Sequence, residues 1–303
     1  PAVNARELGI AAYPQAPVAC LPCVSSYVGG DITAGVIASG IDEAERPSML
    51  IDLGTNGEIV LGNREWLVCC SASAGPAFEG GGMRCGIRAM QGAIQKVAIE
   101  PGEFLVTTDA VGDAPPIGIC GSGYIDALAE MFRAGVIDRQ GAIDTSLPTP
   151  RARQGDGAPE FVVAWADESG TGSDIVIAQS DIENLIRSKG AVYSAAKALV
   201  DAMGMSFQDV DAIYIGGGFG NYLDMDAAIW IGLLPDLPPE RFRFIGNSSL
   251  TGAKETLLSA DAREKASDIA ARMTNMELCA EPSYMGEYIS SLFIPHTDMD
   301  LFP

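Results

Sequence analysis

The residues best suited to chemistry lie in one stretch, residues 49–63, MLIDLGTNGEIVLGN. An apolar run, 49–53, carries a single acid, Asp52. Gly54, Thr55, Asn56 and Gly57 then supply a tight turn, and Asn-Gly is the strongest short hairpin signal because both residues tolerate positive φ. From Glu58 the apolar pattern resumes. A turn of this kind brings backbone N–H groups, a Thr hydroxyl and an Asp carboxylate to one tip. The amides and hydroxyl suit phosphate oxygens, and the carboxylate suits the water shell of Mg²⁺. An ordinary hairpin with a well-chosen turn is the competing reading.

Other strand ends carry similar chemistry. Asp31 sits where a strand-like segment meets a helix N-terminus, as an N-cap or as a carboxylate aimed into a cleft. Gly121, Ser122 and Gly123 precede a helix, either as an anion site or for close helix-to-strand packing. Gly216, Gly217, Gly218, Phe219, Gly220 and Asn221 end a β-run, and Gly246 and Asn247 end another. None of these has the spacing of a Rossmann fingerprint or a P-loop.

The elements that would position these residues alternate. The patterning predicts a buried strand at 18–27, a helix at 32–39 closed by Gly40, and a polar connector at 43–47. A three-stranded meander spans 49–70. A helix at 86–94 and a strand at 95–99 are expected next, then a strand at 116–120 feeding a helix at 125–133. Strands at 161–165 and 175–178 lead to a long helix, opened by a capping box at Ser180 and Glu183 and stopped by Gly204. Strands at 210–215 and 242–245, helices at 227–233, 252–259 and 262–273, a short strand at 277–279 and a last helix at 284–292 complete the chain. This is an α/β pattern with a mostly parallel sheet, in which ligands bind at the strand C-termini.

Composition narrows the function further. The chain has 303 residues, 48 % of them apolar, and a formal net charge of −21. That charge argues against nucleic acid or anionic membranes as partners, because phosphate surfaces would repel it. No apolar run reaches the ~18 residues of a membrane-span candidate. Seven cysteines, an odd number in a chain without a secretory layout, point to reduced thiols and the cytoplasm. Cys20 and Cys23 form a lone C-x-x-C in an apolar run and read as buried structural cysteines ahead of a redox or metal pair. The single histidine, His296, reads as a surface residue and leaves no room for His-rich zinc sites or a Ser-His-Asp triad. A chain opening at Pro1 reads as part of something longer.

Several long motifs, in order, resemble one family. They are PCVSSYVGGDITAGVIASG at 22–40, IDLGTNGEIVLGN at 51–63, CSASAGPAFEGGGMRCGIRA at 70–89, GICGSGYIDALAE at 118–130, IYIGGGFGNYLDMDAAIWIGLLPD at 213–236 and FIGNSSLTGAKETLL at 244–258. The family is the reductive activators of corrinoid proteins, whose C-terminal domain belongs to the acetate and sugar kinase, chaperone and actin (ASKHA) superfamily. The resemblance implies an α/β fold with RNase-H-like lobes, mixed sheets flanked by helices, and ATP bound between two lobes. DLGTNGE at 52–58 resembles the second phosphate motif and GGGFGN at 216–221 the adenosine motif. Full-length members carry an N-terminal iron–sulfur domain. They use ATP to return the Co(II) corrinoid proteins of methyltransferase systems to Co(I).

Two departures follow. The chain lacks an iron–sulfur pattern of the C-x4-C-x2-C kind and a first, DIGTT-like phosphate hairpin. It therefore resembles the end of the first lobe, 1–47, and the second lobe, 48–303, with any iron–sulfur cluster in the missing N-terminal part. On this reading Asp52 and Asp31 hold Mg²⁺, through water, and Glu58 either positions the attacking water or is an ordinary strand-edge carboxylate. Thr55, Asn56 and Gly57, with Gly54, hold the β- and γ-phosphates. Gly75 and the 121–123 turn line the site, 216–221 approach the adenosine, and Gly246 and Asn247 flank it. The implied partner is a corrinoid protein of a methyltransferase system. The oligomeric state is left open, a homodimer included. A small-molecule kinase of the same superfamily and a non-catalytic protein-interaction module are the alternatives.

Overall fold

The computed structural model describes residues 3–218 and 223–302. Strands β1 (Val3–Asn4) and β2 (Pro17–Val18) pair antiparallel ahead of helix α1 (Gly30–Ser39). The meander follows: β3 (Ser48–Leu53), β4 (Gly57–Gly62) and β5 (Leu67–Ala72). An excursion then builds two three-stranded sheets. The first contains β6 (Ala93–Ile99), β7 (Val106–Ala110) and β8 (Gly118–Ile119), and leads into α2 (Gly121–Arg133). The second contains β9 (Ala152–Gln154), β10 (Pro159–Ala164) and β11 (Ile175–Ala178). The chain returns through α3 (Gln179–Ala202), β12 (Ile213–Gly217), α4 (Met225–Trp230), β13 (Phe242–Gly246), α5 (Ser248–Leu258), α6 (Ala260–Arg272), β14 (Met273–Asn275) and α7 (Tyr284–Ser290).

The main sheet has the order β13-β12-β3-β4-β5-β14. The meander is antiparallel, β12 runs parallel to β3 and to β13, and β14 runs parallel to β5. Mixed sheets flanked by helices are the expected ASKHA architecture. Strand β3 alternates between two cores, as the period of two requires. Met49, Ile51 and Leu53 pack into the large core with α3, whereas Leu50 joins Ile32 and Val36 of α1 and Ile269 of α6. Asp52 therefore follows Leu50 onto the α1 face. Helices α1 and α5 meet very closely there: a Cβ on Gly252 would collide with the backbone carbonyl of Ala34.

Several local expectations fail for identifiable reasons. Residues 18–27 form no long strand, only the two-residue β2, and Cys20 and Cys23 are exposed rather than buried. Instead the segment is pinned on α1, where the Thr33 hydroxyl donates to Pro22 O at 2.8 Å. The helix expected at 86–94 is absent; Gly86 bridges Ile119, and β6 already starts at Ala93. A Cβ at Gly86 would strike Gly80 O, so the chain passes too close to its neighbour to coil. The N-cap of α3 is Ala178 rather than Ser180, and Asp181, at the third helical position, reaches back to accept the Ala178 N–H at 3.0 Å. Residues Leu278–Ala280 form a 3₁₀ turn, and the strand lies earlier, at β14.

His296 is 3 % exposed, not a surface residue. It accepts the Asp298 N–H at Nδ1 and meets Glu287 Oε1 at 3.1 Å through Nε2, beside Tyr193 and Phe302. Nearby, the fully buried Lys189 donates to Phe293 O and to Pro295 O at 2.6 Å, and burial lowers its pKa to about 7. Among the described residues no helix is long and apolar enough to cross a membrane.

Candidate functional site

The site begins as a row across the main sheet. In register, Gly216 of β12 pairs with Asp52 of β3, Asp52 with Glu58 of β4, and Glu58 with Ser71 of β5. Directly opposed residues share a face, so the two carboxylates are neighbours, an arrangement that repels. Hydroxyl groups answer each of them. Ser248, the first residue of α5, donates to Asp52 Oδ2 at 2.8 Å, and Ser71 donates to Glu58 Oε1 at 3.2 Å. A Cβ at Gly216 would stand 2.9 Å from Ser248 Oγ and 3.2 Å from Asp52 Oδ2, so a side chain there would press on this pair.

Burial raises the Asp52 pKa; the Ser248 hydrogen bond partly offsets this, and the charge of Asp31 adds to it. Burial likewise raises Glu58, with Ser71 opposing and Asp52 and Asp31 reinforcing. Asp31 is exposed and is the second residue of α1; Gly29 occupies the N-cap, so the capping role foreseen for Asp31 is not the one observed. Its Oδ1 accepts the Ile32 N–H at 3.0 Å. Three acids thus act on one another electrostatically at the C-terminal ends of β3 and β12. Among the described residues no group of three His, Cys, Asp or Glu side chains forms a direct metal cage.

The turn after β3 differs from the expected form. Leu53 still pairs with Gly57, so the loop has three residues, and Gly54 N donates to Asn56 O at 3.0 Å. Neither Asn56 nor Gly57 takes a positive φ. Gly57 packs against α3, where a Cβ would lie 2.8 Å from Val192 Cγ2. Thr55 and Asn56 project at the exposed tip, and Thr55 Oγ1 donates to Glu79 Oε1 at 3.4 Å.

Beside the row lies a cavity of about 320 Å³ lined by Phe78, Glu79, Arg88, Ala89, Cys120, Gly121 and Gly218. It joins the end of β12 to the N-terminus of α2. The anion-site candidates divide here. Gly121 lines the cavity, whereas Ser122 is 3 % exposed with its Oγ 3.3 Å from Cys120 Sγ, and a Cβ at Gly123 would collide with Ile94 O. Close packing accounts for those two, and it constrains Gly121 as well, where a Cβ would collide with Phe78 O. Gly75 has φ +80° and opens the 3₁₀ turn Pro76–Glu79, which delivers Glu79 to the cavity. Gly217, at φ +113°, runs against the Leu53 carbonyl. Gly246 takes φ +61°, and Asn247 caps α5 by accepting the Leu250 N–H at 2.8 Å. Phe219, Gly220 and Asn221 lie outside the described residues.

Sequence reading missed Ser248, Ser71, Glu79 and Arg88. Ser71 was the most accessible of them, because the meander register places it two strands from Asp52. The others reach the site through tertiary packing alone.

Comparison with known proteins places this chain in a family. Residues 46–303 match the family described as the C-terminal domain of RACo, the ASKHA domain, and residues 1–44 match the RACo middle region. The corrinoid activation enzyme RamQ of Eubacterium limosum is 35 % identical over 283 residues, covering 91 % of this chain and 47 % of that protein. A reductase of the Co(II) methylated amine-specific corrinoid protein from Methanosarcina barkeri is 27 % identical over 274 residues, covering 84 % and 46 %. The solved structure of a reductive activator for corrinoid, iron–sulfur protein superposes with a TM-score of 0.96 at 49 % identity, covering all of this chain and 48 % of that one. The chain spans about half the length of these relatives. Through its middle region and ASKHA domain, it belongs to the family of reductive activators of corrinoid proteins.

Proposed function

We propose that this chain is the ATP-binding and ATP-hydrolysing part of a reductive activator that returns a Co(II) corrinoid protein of a methyltransferase system to Co(I). The observation that carries the reading is the row Gly216–Asp52–Glu58–Ser71 ending beside the cavity at Gly218 and Gly121. The charges acting on Asp52 and Glu58 are those of other acids, not of Lys or Arg. A hydrated divalent cation would relieve that repulsion. Mg²⁺ is typically bound by one or two carboxylates and several waters, which fits Asp52 and Asp31.

Within this site the residues have separable tasks. Asp52, steadied by Ser248, and Asp31, carried on α1, hold the water shell of the cation, which itself neutralises phosphate charge. Thr55, Asn56 and the amides from Gly54 to Gly57 receive the terminal phosphates. Glu58 orients the attacking water, and its raised pKa moves it toward the range of a useful base. Gly218 and Gly121 admit the nucleoside. Residues 1–47 are the end of the first lobe, docked through α1 onto the second lobe that 48–303 form, and closure of the rest of the first lobe on ATP is the switch that changes the grip on the corrinoid protein. Membership in the activator family supports this over a small-molecule kinase or a non-catalytic module.

The test uses the full-length protein. A Co(II) corrinoid protein is reduced with and without Mg·ATP and followed by its visible spectrum, and Mg·ATP is titrated against wild type and Asp52→Ala. ATP-dependent reduction, with weaker binding and hydrolysis in the variant, is expected. Reduction at the same rate without ATP, or equal affinity and turnover in Asp52→Ala, would overturn the assignment.

A further inference from the structure

Among the described residues, seven line the cavity at Gly218, and of these Glu79 and Arg88 carry charge. Glu79 ends the short 3₁₀ turn after β5 and is exposed. It has two neighbourhoods at once. One side faces the cavity, and the other reaches the phosphate turn, where Oε1 accepts the Thr55 hydroxyl at 3.4 Å and would lie 3.7 Å from a Cβ at Gly54. That hydrogen bond is at the long end of the useful range, so it is weak and readily exchanged. The cavity volume, about 320 Å³, lies at the small end of ligand pockets and suits one nucleoside.

We propose that Glu79 reads the ribose of the bound nucleotide and thereby controls Thr55. The inference rests on the nucleotide reading above. A carboxylate is an acceptor with two oxygens, and the vicinal 2′ and 3′ hydroxyls of a ribose are two adjacent donors. When they engage Glu79, the exposed side chain turns toward the ribose and its long Thr55 hydrogen bond is broken, leaving that hydroxyl free to donate to a phosphate oxygen. Without a ribose, Glu79 keeps Thr55 turned away from the phosphate. The site is thus tuned for ribonucleotides, and a bare polyphosphate meets a turn whose hydroxyl is already engaged.

A site built to hydrogen-bond a hydroxyl discriminates strongly against the analogue lacking it. Binding of Mg·ATP, Mg·2′-deoxy-ATP and Mg·tripolyphosphate is measured by calorimetry on full-length wild type, Glu79→Ala and Glu79→Gln. Wild type should prefer ATP over the deoxynucleotide by roughly tenfold, the worth of one charge-assisted hydrogen bond. Glu79→Ala should lose that preference and bind ATP more weakly, yet bind tripolyphosphate as well as or better than wild type. Glu79→Gln, which keeps one acceptor oxygen and the side-chain shape, should fall between. Melting curves establish that the variants are folded, and the tripolyphosphate arm reports an intact phosphate turn. Equal wild-type affinity for ATP and the deoxynucleotide, or unchanged discrimination in Glu79→Ala, would overturn the inference while leaving the nucleotide site standing. Wild type binding neither ATP nor tripolyphosphate would overturn both readings together.

Discussion

The Ser248 hydroxyl donates to the Asp52 carboxylate at 2.8 Å across 196 positions of sequence. This bond ties the C-terminal end of β3 to the first residue of α5, and it fixes which way one acid of the candidate site points.

Removing that donor should cost stability and ligand binding together. Ser248 is fully buried, and Ser248→Ala leaves Asp52 without its hydroxyl. A loss of about 1–3 kcal/mol is expected in denaturant titrations. Mg·ATP affinity should fall with it, whereas a variant as stable as wild type would show that the bond contributes nothing.

Neutralising Asp52 should have the opposite effect on the unliganded fold. Both Asp52 and Glu58 have raised pKa values. A raised carboxylate holds its proton more tightly in the native state, so the unfolded chain ionises first and native stability declines as pH rises above 3.8, the ordinary Asp value. Asp52→Asn escapes this decline and still accepts from Ser248. It should exceed wild type by about 0.5–1 kcal/mol at pH 7, the scale of a cross-strand like-charge pair. The advantage should vanish below pH 4, and stabilisation by Mg·ATP should be lost. A less stable Asp52→Asn at pH 7 would contradict the repulsion described for this row.

The contact between α1 and α5 should tolerate no added carbon. Gly252→Ala drives a methyl into the Ala34 carbonyl, a backbone group that cannot rotate away. About 1–3 kcal/mol of destabilisation follows from overpacking. Because α1 carries Asp31, calorimetry should also show weaker binding of Mg·ATP. Unchanged unfolding midpoints would mean the helices separate at little cost.

Lys189 predicts a pH dependence of the other sign. Its folded pKa, about 7, lies below the ordinary 10.5. Between those values the unfolded chain binds more protons, so stability rises with pH. Wild type should gain on Lys189→Met from pH 7 toward pH 10, by at most about 1.4 kcal/mol per pH unit for one proton. Parallel stability curves for the two proteins would show that the amine stays charged in the fold.

The sequence showed some of this clearly and some not at all. Alternation along β3 placed Leu50 and Asp52 on one face, and the meander was legible because its strands are short, apolar and joined by turn residues. The polar tip at Thr55 and Asn56 was foreseen, though its Asn-Gly pair does not adopt the positive-φ turn, since the hairpin closes one residue earlier, at Gly57. Ser248, Glu79 and Arg88 were invisible for a different reason: each reaches the site by the packing of distant elements. The 86–94 segment misled because its composition suits a helix while Gly86 lies hard against Gly80 O. His296 misled because a lone polar residue gives no sign of the aromatic cluster that encloses it.

The family boundary falls between residues 44 and 46, yet the protein is not divisible there. Helix α1 precedes the boundary and α5 follows it, and the buried Asp42 before it pairs with Lys265 of α6 at 3.0 Å. An excised domain beginning at residue 46 would lose Asp31 from the candidate site and strip the shelter from Leu50, Val60 and Ile269. What the family descriptions separate as two modules is therefore, mechanically, one folding unit.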